Sequence, residues 1–270
     1  MFYELLTNME LQYHIKCKDG DVFPYVIMPG DPNRVNLIGS FMEDVKQIAS
    51  NREYTTISGY YKGVGISVTS TGIGAPSTSI AIEELARIGA KTLIRVGSTG
   101  ALEETIKCGD LIINTASVRY DGATKDYINP FYPAAASYEV ALALIEACEK
   151  LNYRYHVGIG ASRDTFYGGQ ERPSFGDYHQ SFMDNLIDDL EKAKVLNLEM
   201  EASTVFTLSS LFGLRAGAIL AVFGNRKTQE FEVKGEEEAA KATLESIKIL
   251  SDWDKIKEKK NKKYLYPSLI

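Results

Sequence analysis

Apolar positions recur along the chain with two different periods, and the switching between them sets the expected fold. Tyr25-Val26-Ile27-Met28 is a short apolar run closed by Pro29-Gly30-Asp31-Pro32, a strand ended by a turn. Asp31 can cap, and Pro32 can open, a helix through Arg34 and Val35 to about Ser40. Val45–Ala49 and Tyr54–Ser58 read as strands around Asn51 and Arg52, and Gly65–Thr71 as another. Beyond the Gly72-Ile73-Gly74-Ala75-Pro76-Ser77 turn, Ile80, Ile82, Leu85 and Ile88 follow a helical period until Gly89. Thr92–Val96 is an expected strand ending in a Gly97-Ser98-Thr99-Gly100 turn, and Leu111–Val118 is the next strand. Tyr138–Leu151 is an expected helix, with Val140, Leu144, Ala147 and Leu151 on one face.

Val157–Ala161 is a strand that feeds an unusual polar loop, Asp164 to Arg172. A helix over Leu186–Ala193 leads into an extended Val195–Glu201. Residues 202–212 form an apolar helix stopped by Gly213, Ala216–Phe223 a buried-type strand, and Gly235 to about Lys257 a long amphipathic helix. Residues 1–20 read as irregular. Strands alternating with helices predict an α/β fold: a single-domain, three-layer sandwich with a mixed central β-sheet flanked by helices. One domain over 1–270 is expected, with its core at about 10–250 and a lysine-rich C-terminal tail at 254–270.

Composition narrows the function classes. The net charge of −6 argues against general nucleic-acid binding. The one basic run, Lys255–Lys263, reads as a solvated helix end. No apolar run approaches the ~20 residues needed to span a bilayer, so no membrane partner is expected, and the start of the chain lacks a signal pattern. Cys17, Cys108 and Cys148 are far apart and show no metal spacing. A cytoplasmic protein is the expectation.

Chemistry-bearing residues gather at the strand ends, where open α/β sheets bind ligands. Gly30 with Arg34, and Arg95 with Gly97-Ser98-Thr99-Gly100, combine glycine-turn N–H groups, a hydroxyl and guanidinium forks, the parts of a phosphate site. The alternative for Arg95 is a structural ion pair. No Walker loop or dinucleotide fingerprint occurs. Alternation puts Glu199 and Glu201 on one face. They read either as carboxylates for vicinal sugar hydroxyls or as acids favoured by a helix start. In the loop Asp164-Thr165-Phe166-Tyr167-Gly168-Gly169-Gln170-Glu171-Arg172, two glycines allow a tight bend. Its amide and guanidinium could grip a flat polar ring, or simply face water. Phosphate, sugar and base are the parts of a nucleoside phosphorolysis reaction.

That loop, with Pro29–Arg34, Ser70–Ser77, Gly97–Gly100 and Glu199-Met200-Glu201, strongly resembles the bacterial-type uridine phosphorylase branch of the hexameric nucleoside phosphorylase family. The Gln-Glu-Arg element is the mark of the uridine branch. The resemblance implies phosphorolysis of uridine, with deoxyuridine or thymidine as further substrates, in pyrimidine salvage. It needs inorganic phosphate as co-substrate and no cofactor. It implies phosphate on Gly30, Arg34, Arg95 and Ser98, completed by Arg52 of a neighbouring subunit, and ribose on Met200 and Glu201 with His14 of that neighbour. Uracil would be read by Gln170 and Arg172 beside Phe166. Catalysis would rest on Arg172, Gln170, Glu201 and Arg95. A homo-oligomer is implied, at least a dimer and typically a hexamer, with a potassium ion on Glu53, Ile73 and Ser77 at a dimer interface. Phe223-Gly224 departs from the usual branched aliphatic pair beside the base. The absence of a side chain at Gly224 is expected to open room for a larger base, and Phe223 to narrow it. A purine or broader-specificity phosphorylase, a nucleosidase and a non-catalytic nucleoside-binding protein are the rival readings.

Overall fold

In a computed structural model, which describes residues 11–270, ten strands form one mixed sheet. In chain order they are β1 (Tyr25–Pro29), β2 (Glu43–Asn51), β3 (Tyr54–Tyr61), β4 (Val64–Thr69) and β5 (Thr92–Ala101). There follow β6 (Leu111–Arg119), β7 (Ala134–Ala135), β8 (Tyr155–Ser162), β9 (Val195–Glu199) and β10 (Arg215–Asn225). The helices are α1 (Pro32–Gly39), α2 (Ala75–Arg87), α3 (Ala123–Tyr127), α4 (Tyr138–Leu151), α5 (Leu186–Lys192), α6 (Ala202–Leu211) and α7 (Glu236–Lys259). The expected irregular stretch at 1–20 is irregular from residue 11 to 20, and residues 1–10 lie outside the described residues.

Alternation along the central strands explains why helices cover both faces. On β1, Ile27 enters one core cluster while Val26 and Met28 enter the other. On β5, Ile94 and Val96 face the first cluster and Leu93 the second. The first cluster is closed by α1, α4 and α7, the second by α2 and α6. Strands buried on both faces read as continuous apolar runs, as β1 and β10 do. This is the three-layer arrangement that the sequence pattern predicts.

The sheet also closes on itself. β5 pairs parallel with β1 and β10 and, at Gly100 and Ala101, antiparallel with β9. The order β5-β10-β6-β8-β9-β5 is therefore a ring. It brings the end of β1, the second half of β5 and the ends of β9 and β10 to one place.

Two short elements, α3 and β7, had no periodic signal to reveal them. A third difference matters for function. Gly97-Ser98-Thr99-Gly100 is not a turn: β5 continues through it, with Ser98 opposite Ala221 and Thr99 opposite Val222.

The chain beyond 254 packs back onto the fold. Leu265 and Leu269 are buried in the first cluster. Arg215 grips Asp254 with both terminal nitrogens, at 2.8 and 2.7 Å, and Lys257 reaches Glu139 at 2.6 Å. Among the described residues, no helix is long and apolar enough to cross a membrane.

Candidate active site

A cavity of about 840 Å³ opens where these strand ends meet. It is lined by Gly30, Arg34, Arg95 and Ser98, by Phe166, Gln170 and Arg172, by Met200 and Glu201, and by Phe223 and Gly224. Five separated stretches of sequence thus supply these residues to one site.

Arg95 sits mid-strand in β5 and is only 4% exposed. Its Nε donates to Glu199 at 2.8 Å, and its Nη2 lies 2.6 Å from the Glu201 carboxylate. Burial works against its charge, but Glu201 and Glu199 hold it above the ordinary guanidinium range. Arg95 is thus ion-paired and also lines the cavity. Glu199 ties this pair to the next helix, accepting from the Ser162 hydroxyl and from the N–H groups of Glu201 and Ala202 at the start of α6. The dipole of α6 favours a carboxylate there. Glu201 also accepts from the Gly74 N–H.

The reason for Gly97 follows from Arg95. A Cβ on Gly97 would lie 2.7 Å from Arg95 Nη2 and 2.9 Å from its Cζ. Glycine here makes space for a guanidinium lying along its own strand. It does not turn the chain, so the expected nest of N–H groups is absent from this stretch.

The loop after β8 forms a short 3₁₀ turn over Gly168–Gln170, with Gln170 3% exposed. Its glycines are again explained by space. Neither Gly168 nor Gly169 has a positive φ; the left-handed residue is Glu171, at φ 51°. A Cβ on Gly168 would meet Met183 at 2.6 Å, and one on Gly169 would collide with Thr165. The Arg172 guanidinium stacks 4.2 Å from the centre of the Phe166 ring, and its buried Nε has no partner among the described residues. Burial and the nearby charge of Arg226 lower its pKa. Arg226 itself donates to the carbonyls of Gln170 and Glu171, at 2.7 and 3.2 Å, and so pins the loop to the end of β10.

Beyond β10 the chain folds back as a hairpin. The Asn225 N–H donates to the Glu230 carbonyl, and Gly224 forms an antiparallel bridge with Phe231. A Cβ on Gly224 would lie 3.3 Å from the Glu230 oxygen and 3.4 Å from the Phe231 ring. The room expected beside Gly224 is therefore filled, by Phe231.

Arg52 and His14 do not line this chain's cavity. Arg52 is exposed in the turn between β2 and β3, at φ 55°. His14 binds Glu84 of α2 through its backbone N–H and through Nδ1, at 2.7 Å, and its carbonyl accepts from Asn51. The two thus share one patch. Glu53, Ile73 and Ser77 do come together: the Ser77 hydroxyl donates to the Ile73 carbonyl at 3.2 Å, and both Glu53 and Ser77 pack against Gly72.

Residues 24–250 match the family described as the phosphorylase superfamily. The chain belongs to that superfamily. It is similar to uridine phosphorylase from Thermococcus kodakarensis, 56% identical over 263 residues that cover 97% of this chain and 95% of the other. Uridine phosphorylase from Escherichia coli is 43% identical over 205 residues, 76% of this chain and 81% of its own. A guanosine phosphorylase from Halorubrum lacusprofundi is 39% identical over 217 residues, covering 80% and 85%.

For a phosphorylase of this superfamily, the cavity-wall residues that the sequence pattern missed include Arg226 and Phe231. Arg226 stands next to Asn225 at the end of the last strand, so the convergence of strand ends was a usable signal for it. Phe231 carried none, because only the hairpin brings it to the site.

Proposed function

We propose that this protein catalyses phosphorolysis of uridine, releasing uracil and ribose 1-phosphate, in pyrimidine salvage. The observation that carries this is one cavity holding two cationic groupings of different character. Arg34 and Arg95 stand with Gly30 and Ser98, suited to an anion. Arg172 stands with Gln170 and Phe166, suited to a planar base.

In this reading phosphate rests on Arg34, Arg95, Ser98 and the backbone at Gly30. Met200 and Glu201 hold the ribose. Glu201 has already accepted from Gly74 and Arg95, which fixes its two oxygens while leaving lone pairs for hydroxyls. As the bond from C1′ to the base lengthens, the ribose becomes oxocarbenium-like, and phosphate on the far face stabilises it and then attacks. The bond's electron pair leaves with uracil on N1 and spreads onto its two carbonyl oxygens. Arg172 and Gln170 meet that charge as it develops, which is differential stabilisation of the transition state. Holding both substrates together adds a proximity term of up to roughly 7–11 kcal/mol in ideal cases. No covalent nucleophile is required.

A second subunit would bring its Arg52 and His14 to this cavity, which makes the working unit at least a dimer and, by family likeness, a hexamer. The carboxylate of Glu53, the Ile73 carbonyl and the Ser77 hydroxyl are hard oxygen donors. They fit a potassium ion, with further ligands from the partner copy. A cytoplasmic location agrees with this role.

The guanosine phosphorylase likeness motivates one alternative, a purine preference. Initial rates on uridine, thymidine, inosine and guanosine with phosphate present separate the two. Uridine as the fastest substrate supports the proposal; inosine or guanosine turnover equal to or above that of uridine overturns it.

A further inference from the structure

Phe223 occupies a place that its expected role as a base wall does not account for. Alternation along β10 sends Ile219 and Ala221 into the core cluster under α1 and α7, and Phe223 packs against the same cluster. Its ring therefore leans toward α1. There the Arg34 guanidinium lies 5.4 Å from the ring centre. On its other side Arg34 donates Nε to Glu236, the first residue of α7, at 2.6 Å. Nη1 and Nη2 make no hydrogen bond within the chain among the described residues. The Arg34 side chain is 16% exposed and lines the cavity.

A guanidinium on a flexible stem loses rotamer freedom when it binds an anion. Here one ring face and one carboxylate fix its plane beforehand. We propose that Phe223 is a positioning residue for phosphate: its ring, with Glu236, holds Arg34 so that the two terminal nitrogens are ready for the anion. The proposal rests on Arg34 being a phosphate ligand. It also accounts for an aromatic residue at 223. A branched aliphatic could line the base site equally well but offers no π-face to a cation.

The test measures phosphate binding by calorimetry on the intact protein without nucleoside, where a base wall has nothing to act on. Phe223→Leu and Phe223→Met keep an apolar side chain and lack the ring; Phe223→Tyr keeps the π-face. Phosphate Kd is expected to rise about five- to thirtyfold in the Leu and Met variants, the range of a partly desolvated cation–π contact. It should stay within about twofold of the original in Phe223→Tyr. Arg34→Ala is measured alongside. If Arg34→Ala weakens phosphate binding and the Leu and Met variants do not, the role of Phe223 is overturned alone. If Arg34→Ala also leaves binding unchanged, the phosphate-site reading falls with it.

Discussion

Gly224 and Phe231 form a notch and its filling: the glycine leaves a space on β10, and the phenyl ring comes within 3.4 Å of where a Cβ would stand. Phe231 is 76% exposed and still lines the cavity. The pair makes a double-mutant prediction. Phe231→Ala should raise the uridine KM several-fold and leave phosphate affinity unchanged. Gly224→Val should do the same, by displacing the ring. The double variant should lie closer to the original than the two losses combined, since valine refills the vacated space. Additive losses would contradict the packing.

Arg172→Ala should lower kcat/KM for uridine by about 10²–10³, the usual scale for one charge-stabilising donor. Calorimetric phosphate affinity should be kept. Its stacking on Phe166 and its proximity to Arg226 mean that Arg172→Lys should not rescue turnover, because lysine has no planar fork. Equal losses in turnover and phosphate binding would remove Arg172 from the leaving-group role.

Gly97→Ala tests whether β5 is shaped around Arg95. The added methyl has no space beside the guanidinium, so Arg95 must leave its two carboxylates or the strand must shift. Overpacking of this kind costs about 1–3 kcal/mol, and phosphate affinity should fall with stability. Thermal melts and calorimetry read both. An unperturbed variant would show that the close approach does not constrain the site.

The chain's architecture was legible where one period ran long enough. Tyr138–Leu151 is bounded in the structure where its apolar spacing predicts. The site was legible in its residue types but less so in its geometry. Glycine beside serine reads as a turn from local propensity. At Gly97 the cause is a side chain two residues earlier, folded back along a strand that β10 keeps extended. Gly168 and Gly169 look like conformational freedom, and the structure gives them crowding by Met183 and Thr165 instead. Phe231 depends on a pairing with Gly224 that no local pattern encodes.

Acid stability should depend on the C-terminal clasp. Burial alone would raise the pKa of Asp254. The Arg215 fork, the Tyr25 hydroxyl and Lys257 outweigh it and hold the group at about 2, below its ordinary 3.8. A depressed carboxyl stabilises the fold above the unfolded value, and that contribution is lost as pH falls from 3.8 through about 2. Asp254→Asn should cost stability at neutral pH, on the order of 1–2 kcal/mol after solvent screening. It should also flatten the loss across that acid window. Denaturant titrations at several pH values check it, and parallel curves for the two proteins would contradict it.

Phosphate, and not water, receives the ribose in this reaction. Phosphorus NMR of the protein with uridine and inorganic phosphate tests it most directly. The phosphate signal should be converted to that of ribose 1-phosphate in step with uracil release, and no uracil should appear without phosphate. Free ribose with the phosphate signal unchanged would contradict it.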